Sequence, residues 1–432
     1  MPLLTQAPKG TQDILPQDSY KWQYVEELLM EISRLYGFAE LRTPTFEHTE
    51  LFSRSVGDTT DVVQKEMYTF NDKGNRSITL RPEGTAGMAR AAIENGLFNS
   101  ALPLKISYLI NCFRYEKPQA GRLREFHQFG AEVYGSDSPA CDAEVIAMVH
   151  EIFDTLGIKE LRLELNSIGC PVCRAEYHKR LAEYFAEHTG ELCQTCTERL
   201  VKNPMRILDC KNPDCAKLAA AAPRVLDYIC DDCREHFEGV KKRLDALNIP
   251  YIVNASIVRG LDYYTKTVFE FVSENIGAQG TVCGGGRYDG LVEQLGGQAL
   301  AGVGFAMGIE RLLSVMDKSG CEYPQQNSCA IYIGSIGEEA SVKAFALTNA
   351  LRQEGLYAQC DVSGRSVKAQ MKYADKLGSR FSCILGDNEL AEGKTTVKNM
   401  SSGKADKVSF NELAEYIYDN YAAVVAEENE NA

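Results

Sequence analysis

Apolar positions recur at helical spacing from Ser19 to Leu35, and Gly37 follows as a stop signal. Similar spacing predicts helices from Ala140 to Leu156 and from Gly308 to Met316. Short apolar runs bounded by polar turns predict strands at Tyr68–Phe70, Ile78–Leu80, Leu104–Phe113, Phe126–Tyr134 and Thr267–Phe271. Because these strands follow one another without regular intervening helices, the pattern predicts an α+β fold, an antiparallel sheet flanked by helices.

The pattern changes twice along the chain. Between Cys170 and Cys233 lie eight of the 15 cysteines, among helix-forming charged segments. After Met316 a polar stretch precedes alternating strand-like and helical segments, which is typical of a small α/β domain. We therefore predict a core in two parts, 1–169 and 241–325, an inserted helical cysteine-rich module, 170–240, and a C-terminal α/β domain, 326–425.

Composition narrows the class of protein. A chain of 432 residues is long enough for two or three domains. No apolar run approaches the roughly 18 residues that a membrane span needs, and the first residues lack a basic leader with an apolar core. We expect a soluble cytoplasmic protein that contacts no membrane. The net charge of −14 argues against indiscriminate binding to polyanions, so any contact with nucleic acid must be local.

The segment Phe113–Gly135 carries a dense set of polar side chains on a predicted hairpin. Arg114 and Glu116 end one strand, and the returning strand carries Phe126, Gln128 and Glu132. Because side chains two apart on a strand share a face, these groups would combine a phosphate-binding fork, a flat ring and two polar side chains on one surface. The alternative is a solvated sheet edge with cross-strand ion pairs.

Three segments resemble the signatures of class II aminoacyl-tRNA synthetases. The run FRYE from Phe113, followed by GRLREF from Gly121, resembles the second signature, and Gly302–Arg311 resembles the third. The segment around Pro44 resembles the first, which in the family forms the dimer interface. Within that class, LRPEGT, RGLDYYTKTVFEF and CGGGRYDGL resemble the bacterial histidyl-tRNA synthetases, over nearly the whole chain.

The resemblance implies a histidine–tRNA ligase. Such an enzyme activates L-histidine with ATP and Mg²⁺ to histidyl-adenylate, and then transfers histidine to the 3′ end of tRNA(His). It also implies a homodimer and an anticodon-binding C-terminal domain. One alternative is the catalytically silent paralogue that regulates ATP phosphoribosyltransferase, which typically lacks that domain and an intact RGLDYY segment. Another is a zinc-dependent nucleic-acid-binding protein, which leaves the hairpin arginines unexplained.

The resemblance also assigns residues. The implied catalytic residues are Arg259 and Arg114, with Arg259 reaching the α-phosphate from the side opposite Arg114. An arginine in an ion pair with Asp262 is the alternative for Arg259. The implied ATP-binding residues are Arg114, Glu116, Arg122, Phe126 and Arg311. The implied histidine-binding residues are Glu83, Gly84, Thr85, Arg114, Gln128, Glu132, Arg259, Tyr263 and Tyr264, with Glu132 and Tyr264 bracketing the imidazole.

A basic stripe is predicted in the C-terminal domain. Four basic residues at helical spacing would lie on one face of a helix: Arg365, Lys368, Lys372 and Lys376. A solvated basic face is the ordinary interpretation of such a stripe. Because the domain resembles an anticodon-binding module, we interpret the stripe as a surface for tRNA phosphates.

Three CxxC pairs mark the cysteine-rich module: Cys170 with Cys173, Cys193 with Cys196, and Cys230 with Cys233, with Cys210 and Cys215 nearby. Two such pairs can form a tetrahedral thiolate zinc site. Such a site would be structural, because four cysteine ligands leave no open position on the metal. Zinc is not a general feature of the family, so reduced thiols are the alternative.

Overall fold

The computed structural model describes residues 5–57, 60, 62–119, 121–208, 210, 212–257, 259, 261–273, 280–324 and 328–430, the last nine of these and residue 202 by their backbone alone. The chain divides into two compact units, Met1–Pro324 and Gln325–Ala432. The domain boundary expected at 325/326 falls among residues 325–327, outside the described residues.

The strands of the first unit are β1 Ala39–Glu40, β2 Phe46–His48, β3 Thr69–Asn71, β4 Ser77–Leu80, β5 Leu104–Phe113, β6 Glu125–Tyr134, β7 Leu161–Ser167, β8 Ile252–Val253, β9 Thr265–Ser273, β10 Thr281–Arg287 and β11 Gly302–Gly308. Its helices are α1 Pro16–Leu35, α2 Thr49–Val56, α3 Thr85–Glu94, α4 Pro139–Thr155, α5 Pro171–Glu187, α6 Gln194–Lys202, α7 Pro213–Ala221, α8 Asp231–Ala246, α9 Leu291–Gln294 and α10 Ile309–Ser319. The predicted helices and strands all form, with small differences at their ends.

Among the described residues, eight strands form one sheet in the order β1-β5-β6-β11-β10-β9-β7-β8. The central pairs are antiparallel, and the short edge strands β1 and β8 pair in parallel with β5 and β7. This pairing confirms the predicted α+β fold class. Strands β2, β4 and β3 form a separate small antiparallel sheet.

Along the central strands, successive side chains face opposite sides of the large sheet, and the two sides have different environments. On β6 and β11, odd-numbered residues such as Phe129, Val133 and Phe305 are buried in a core shared with α1, α4, α8 and α10. Even-numbered residues such as Gln128 and Glu132 face a cavity instead. Since strand side chains point alternately to opposite faces, one face of the sheet anchors the fold and the other carries polar groups.

The cysteine-rich segment is helical, as expected. It contains α5, α6, α7 and the beginning of α8, joined by short turns. The predicted end of the module at residue 240 falls inside α8, which continues to Ala246. Its apolar residues pack with one another and with the tyrosines beside the cavity in one cluster.

The second unit is an α/β domain, as the alternating pattern predicted. Its elements are β12 Ile331–Ser335, α11 Glu338–Gln353, β13 Ala358–Cys360, α12 Val367–Lys376, β14 Phe381–Leu385, α13 Asp387–Glu392, β15 Lys394–Asn399, β16 Ala405–Ser409 and α14 Leu413–Glu430. In its sheet β12 is parallel to β13 and β14, and β15 is antiparallel to β14 and β16. In the part of the chain that the structure covers, no helix is both long and apolar enough to cross a bilayer.

Candidate active site

A cavity of about 670 Å³ lies over the polar face of the large sheet. Residues from β6, β9, β10 and β11 contribute to its lining. The sequence-predicted residues that line it are Glu83, Thr85, Arg114, Glu116, Arg122, Phe126, Gln128, Glu132, Arg259, Tyr263, Tyr264 and Arg311. The folded chain therefore brings together residues that lie more than 200 positions apart in sequence.

A buried carboxyl group, Glu132 on β6, is the centre of a hydroxyl cluster in this cavity. It is only 1% exposed. Its Oε1 accepts hydrogen bonds from Thr85 Oγ1 at 2.7 Å and from Tyr108 Oη at 3.0 Å, and its Oε2 accepts one from Tyr288 Oη. Three hydroxyl groups thus fix the position of one carboxyl group, which is the preorganisation that a specific polar pocket needs.

Burial raises the pKa of Glu132 to about 8. The hydrogen bonds from Tyr288 and Thr85 act in the opposite direction, and the nearby carboxylate of Glu83 adds to the increase. A carboxyl group with this pKa is mostly protonated at neutral pH. It ionises readily when a ligand brings a compensating positive charge or hydrogen-bond donor.

The close approach of β11 to Glu132 requires a glycine. A Cβ on Gly304 would lie 1.8 Å from Glu132 Oε2 and 2.6 Å from the Ala131 carbonyl oxygen. Gly304 of GVGFAMG therefore lets β11 pass close to the buried carboxyl group.

The LRPEGT segment is attached to β6 at the start of α3. Glu83 accepts hydrogen bonds from the backbone N–H groups of Thr85, at 2.8 Å, and Ala86, at 2.9 Å. Gln128 Oε1 accepts one from Gly84 N at 2.9 Å. Burial raises the pKa of Glu83 despite the two backbone hydrogen bonds. Glu83, Thr85 and Gln128 are therefore held together, as acceptors for an ammonium group would be.

The hairpin arginines lie around the carboxylate of Glu116. Arg122 Nη1 is 3.0 Å from Glu116 Oε2, and Arg114 Nη1 is 4.0 Å from Glu116 Oε1. Arg114 Nε donates to the Pro82 carbonyl at 2.8 Å, and its guanidinium lies 5.4 Å from the centre of the Phe126 ring. The hairpin therefore presents two cations and a flat ring on one side of the cavity.

A third cation, Arg311 at the beginning of α10, joins this group. Its Nε donates to the Gly121 carbonyl at 3.0 Å, and its Nη1 donates to the Thr281 carbonyl at 2.7 Å. Burial lowers the pKa of Arg311, and repulsion from Arg122 lowers it further. Two backbone carbonyls hold the guanidinium in place, and the local excess of positive charge is suited to a polyphosphate.

Arg259 precedes β9 in the chain and lines the same cavity, with its guanidinium against β9 and β10. It forms an ion pair with Glu270 on β9, and Glu270 Oε2 accepts a hydrogen bond from Thr281 Oγ1 at 2.7 Å. A Cβ on Gly284 would lie 2.5 Å from the guanidinium nitrogens, so the glycine of CGGG makes room for this arginine. Burial opposes the charge on Arg259, and Glu270 outweighs it, so the pKa is raised.

The partner of Arg259 differs from the alternative raised by the sequence. Asp262 lies 3.5 Å from Arg206 Nη2 and accepts from Asn203 Nδ2 at 3.4 Å, and Arg259 pairs with Glu270 instead. The neighbouring Val258 and Gly260 lie outside the described residues. Asp262 therefore connects this turn to the cysteine-rich module.

Tyr263 and Tyr264 form one wall of the cavity. Their ring centres are 4.7 Å apart, and Tyr263 also packs edge-on against Tyr288 at 5.6 Å. The ring of Tyr264 lies 5.7 Å from the Arg259 guanidinium. From α5, Arg174 Nη1 donates to the Tyr264 carbonyl at 2.9 Å. The tyrosine wall is thus supported by the module as well as by the sheet.

Several residues of this site have no role in the sequence-based predictions. Glu270 was hidden inside the apolar run VFEF, and Tyr108 inside β5. Tyr288 lies in the quoted segment CGGGRYDGL, but no role was assigned to it. One signal in the sequence could have identified Glu270 and Tyr108. Each is a polar or partly polar side chain in a central strand, at an alternate position that faces away from the helices.

The basic stripe of the second unit forms only in part. The helix α12 begins at Val367, with Ser366 at its N-cap, so Arg365 lies outside the helix and its predicted alignment is wrong. Arg365 instead pairs with Asp361 at 3.1 Å. The other three side chains are exposed on α12: Lys368, Lys372 and Lys376.

The cysteine module contains two separate thiol clusters among the described residues. The first, cluster A, is formed by Cys170, Cys173, Cys230 and Cys233, and the second, cluster B, by Cys193, Cys196, Cys210 and Cys215. Within each cluster the four Sγ atoms lie within 4.8 Å of one another. The third CxxC pair, Cys193 with Cys196, therefore combines with the two nearby cysteines and not with another CxxC pair.

Comparison with known proteins identifies the family. Residues 10–312 match the family model for histidyl-tRNA synthetase, and residues 329–420 match an anticodon binding domain. A histidine–tRNA ligase of Acetivibrio thermocellus is 56% identical over 411 residues, covering 95% of this chain and 99% of that protein. The chain belongs to the histidyl-tRNA synthetase family. A second family member, the histidine–tRNA ligase of Clostridioides difficile, is 53% identical over 414 residues, covering 96% of this chain and 99% of that protein.

The fold comparison agrees with the sequence comparison. A crystal structure of apo Staphylococcus aureus histidyl-tRNA synthetase superposes with a TM-score of 0.82 at 42% identity, covering 96% of this chain and all of that chain. The family resemblance and the fold class predicted from the sequence are therefore confirmed. The cavity described above lies within the part of the chain that matches the histidyl-tRNA synthetase model.

Proposed function

We propose that this chain is a histidine–tRNA ligase that activates L-histidine with MgATP and transfers it to tRNA(His). The observation that carries the proposal is the division of one cavity into two parts. Arg114, Arg122 and Arg311 meet on one side, and the buried carboxyl group of Glu132 lies among hydroxyl groups on another. Such a cavity suits a ligand with a polyphosphate at one end and an imidazole at the other.

In the first step a carboxylate oxygen of histidine attacks the α-phosphorus of ATP, and the bond to the bridging oxygen of pyrophosphate breaks. Its main obstacle is the repulsion between the carboxylate and the polyphosphate, which fixed cations relieve. We assign Arg114 and Arg259 as the catalytic residues, which would approach the α-phosphate from opposite sides. Both are held by protein groups before the substrate arrives, Arg114 by the Pro82 carbonyl and Arg259 by Glu270.

The remaining ATP contacts follow from the arginine cluster. Arg122 and Arg311 would bind the outer phosphates, and Mg²⁺ enters as part of the MgATP substrate. The flat ring of Phe126 and the carboxylate of Glu116 would hold the adenine. Glu116 lies 3.0 Å from Arg122, so Arg122 would exchange this ion pair for contacts with the phosphates of ATP.

Histidine selection rests on two groups of buried side chains. Glu132 and Tyr264 would bracket the imidazole, whose neutral ring has one donor and one acceptor nitrogen. The acceptors Glu83, Thr85 and Gln128 would bind the α-ammonium group. An apolar side chain of the same size would offer Glu132 and Tyr264 no hydrogen-bond partner in a buried site, which costs a large factor in discrimination.

In the second step a hydroxyl of the terminal adenosine of tRNA(His) attacks the carbonyl carbon of histidyl-adenylate. The ester forms, the acyl–phosphate bond breaks, and AMP leaves. The exposed lysines Lys368, Lys372 and Lys376 on α12 would contact tRNA phosphates, in keeping with the anticodon-binding domain that residues 329–420 match. Any metal that the cysteine clusters hold would be structural, because four thiolates leave no open coordination position.

The small sheet of β2, β3 and β4 supports a homodimer. Phe46 pairs with Leu80 and Phe70 pairs with Ile78 across this sheet, so the two phenylalanines share a face. Phe46 is 55% exposed and Phe70 is 48% exposed. Exposed aromatic rings on one face of a sheet are typical of a protein interface, and sedimentation of the full chain tests whether a second copy covers them.

Charging of tRNA(His) with labelled histidine by the full-length protein tests the proposal. We expect esterified tRNA only when ATP, Mg²⁺ and histidine are all present. The silent regulatory paralogue would form none, and neither would a nucleic-acid-binding protein. The presence of an anticodon-binding domain supports the ligase over the paralogue.

A further inference from the structure

The four sulfur atoms of each cysteine cluster all lie within 4.8 Å of one another. In cluster A, Cys170 Sγ is 3.5 Å from Cys173 Sγ, which is 4.0 Å from Cys233 Sγ. In cluster B, Cys193 Sγ is 3.8 Å from Cys210 Sγ. Four sulfur atoms bound to one zinc ion at about 2.3 Å are separated by roughly 3.8 Å along each edge of the tetrahedron. The measured separations match that edge.

These distances also distinguish metal ligands from disulfides. A disulfide needs its sulfur atoms at about 2.0 Å, well below the 3.5 Å between the nearest pair. Reduced thiols that bind no metal attract one another only weakly. Weak attraction does not explain why four of them lie together at two places in one module. A single tetrahedral ion also fits better than a multi-iron cluster, since a cluster holds its four thiolates farther apart.

Each cluster lies where backbone groups stabilise negative charge. Cys170 and Cys230 are the N-cap residues of α5 and α8, and Cys173 and Cys233 follow in the first turn of the same helices. The positive end of a helix dipole favours a thiolate there. Two helices of 17 and 16 residues thus point their N-termini at cluster A.

Cluster B repeats the arrangement on two other helices. Cys193 is the N-cap of α6 and Cys196 lies in its first turn, whereas Cys215 lies in the first turn of α7 and Cys210 precedes that helix. A backbone N–H also donates to a sulfur atom in both clusters, Cys230 N to Cys173 Sγ at 3.0 Å and Cys193 N to Cys215 Sγ at 3.2 Å. Such N–H···S contacts are typical outer contacts of zinc thiolates.

From these observations we infer that the module binds two structural zinc ions, one through Cys170, Cys173, Cys230 and Cys233 and the other through Cys193, Cys196, Cys210 and Cys215. The two sites have different architectural roles. The zinc in cluster A joins the first and last helices of the module. The zinc in cluster B joins the N-termini of the two short helices between them, α6 and α7. This inference does not depend on the proposed ligase activity.

Cluster A also lies beside the tyrosine wall of the cavity. Gly169, just before Cys170, accepts a hydrogen bond from Lys266 N at 2.9 Å. One turn into α5, Arg174 donates to the Tyr264 carbonyl. The zinc in cluster A therefore fixes the position of a helix that supports the tyrosine wall.

Metal analysis of the untagged full-length chain, purified without chelator, tests the inference. We expect about two zinc ions per chain by mass spectrometry, and release of both when a mercurial reagent blocks the thiols of the wild-type protein. Protein with no zinc, with iron in its place, or with disulfides by thiol counting would overturn the inference. Because this measurement uses the wild-type chain, it does not depend on the folding of a variant.

Paired variants assign the two sites. The double substitution Cys173→Ser with Cys233→Ser should lose one zinc ion, and Cys196→Ser with Cys215→Ser should lose the other. As a matched control, Cys321→Ser removes a cysteine outside both clusters and should keep two. Replacement by cobalt(II) should give the visible absorption of a tetrahedral thiolate site in the wild type and about half of it in each double variant. A wild type with a single zinc, or a double variant that keeps both ions, would contradict the assignment.

Discussion

Arg259 and Glu270 form a partly buried ion pair in the wall of the cavity, and Glu270 also accepts a hydrogen bond from the Thr281 hydroxyl group. Gly284 leaves the space that the guanidinium occupies. A cation fixed in this way needs little reorganisation when negative charge develops at the α-phosphate. Glu270 would thus be a positioning residue, which acts through Arg259 and does not itself touch the substrate.

The variant Glu270→Gln tests this relationship. We expect kcat/KM for adenylate formation to fall by about tenfold to a hundredfold, because Arg259 loses its charged partner. Arg259→Ala should cost more, about a hundredfold to a thousandfold. Pyrophosphate exchange measures both. The exposed Glu94, which pairs with Arg90 on α3, offers the control Glu94→Gln. Equal rates of pyrophosphate exchange for Glu270→Gln and the wild type would show that Glu270 does not position Arg259 for catalysis.

The raised pKa of Glu132, about 8, predicts how histidine binding depends on pH. A bound imidazole and ammonium group favour the ionised carboxylate, so they lower the pKa of Glu132 in the complex. By linkage, histidine affinity attributable to Glu132 rises with pH until it levels off near pH 8. Below that pH, binding releases a proton from this carboxyl group.

Calorimetric titration of wild type and Glu132→Gln from pH 6 to 8.5 tests this dependence. Glutamine imitates the protonated carboxyl group, so the two proteins should bind histidine similarly at the acid end. The wild type should bind progressively tighter than the variant towards pH 8. A constant difference in affinity across the range would show that ionisation of Glu132 takes no part.

The CGGGRYDGL segment has a structural anchor at Arg287. Arg287 and Asp142 are both 0% exposed and form an ion pair, and Asp142 also contacts His236 Nε2 at 3.1 Å. Removing one partner of a buried ion pair typically costs about 3–5 kcal/mol. We therefore expect Arg287→Met to lower the free energy of unfolding by roughly that amount in urea titrations.

A surface arginine provides the matched control for Arg287. Arg180 on α5 pairs with Glu176 and Glu183 and is about half exposed. Exposed pairs contribute about 1 kcal/mol or less, so Arg180→Met should change the free energy of unfolding little. Similar losses for the two variants would contradict the anchoring role of Arg287.

The lysines on α12 predict a salt-dependent contact with tRNA. Lys368→Glu with Lys372→Glu should raise the KM for tRNA and weaken its dependence on salt, because each phosphate contact contributes to the salt slope. Pyrophosphate exchange, which needs no tRNA, should stay unchanged. Charge reversal at Lys404 and Lys407, on the β15–β16 hairpin, is the control. An unchanged KM for tRNA in the α12 variant would show that these lysines form a solvated surface that does not contact tRNA.

Much of this fold follows from local pattern. The ends of β5, Leu104 and Phe113, are as predicted, because an apolar run bounded by Pro103 and by charged residues leaves few alternatives. Strand parity placed Arg114, Gln128 and Glu132 on the cavity side of the hairpin. The resemblance to known signatures then supplied Arg259 and Arg311, which no local pattern would bring into the same cavity.

The remaining features depend on tertiary contacts. Arg259 pairs with Glu270 and not with Asp262, which is nearer in sequence, because the register of β9 and β10 places Glu270 opposite Gly284, where the guanidinium lies. The grouping of eight cysteines into two clusters depends on which helix N-termini meet. The spacing of Arg365 from Lys368 fits a helix, but α12 begins only at Val367. Arg365 belongs to the preceding turn, where its backbone N–H donates to Asp361 Oδ2 at 2.7 Å.

Histidine-dependent exchange of labelled pyrophosphate into ATP, measured on the full-length chain without tRNA, tests whether this cavity activates histidine. We expect exchange that requires histidine and Mg²⁺, and that falls by at least about a hundredfold in a folded Arg259→Ala variant. Exchange that another amino acid supports equally well, or no exchange by the wild-type protein, would contradict this expectation.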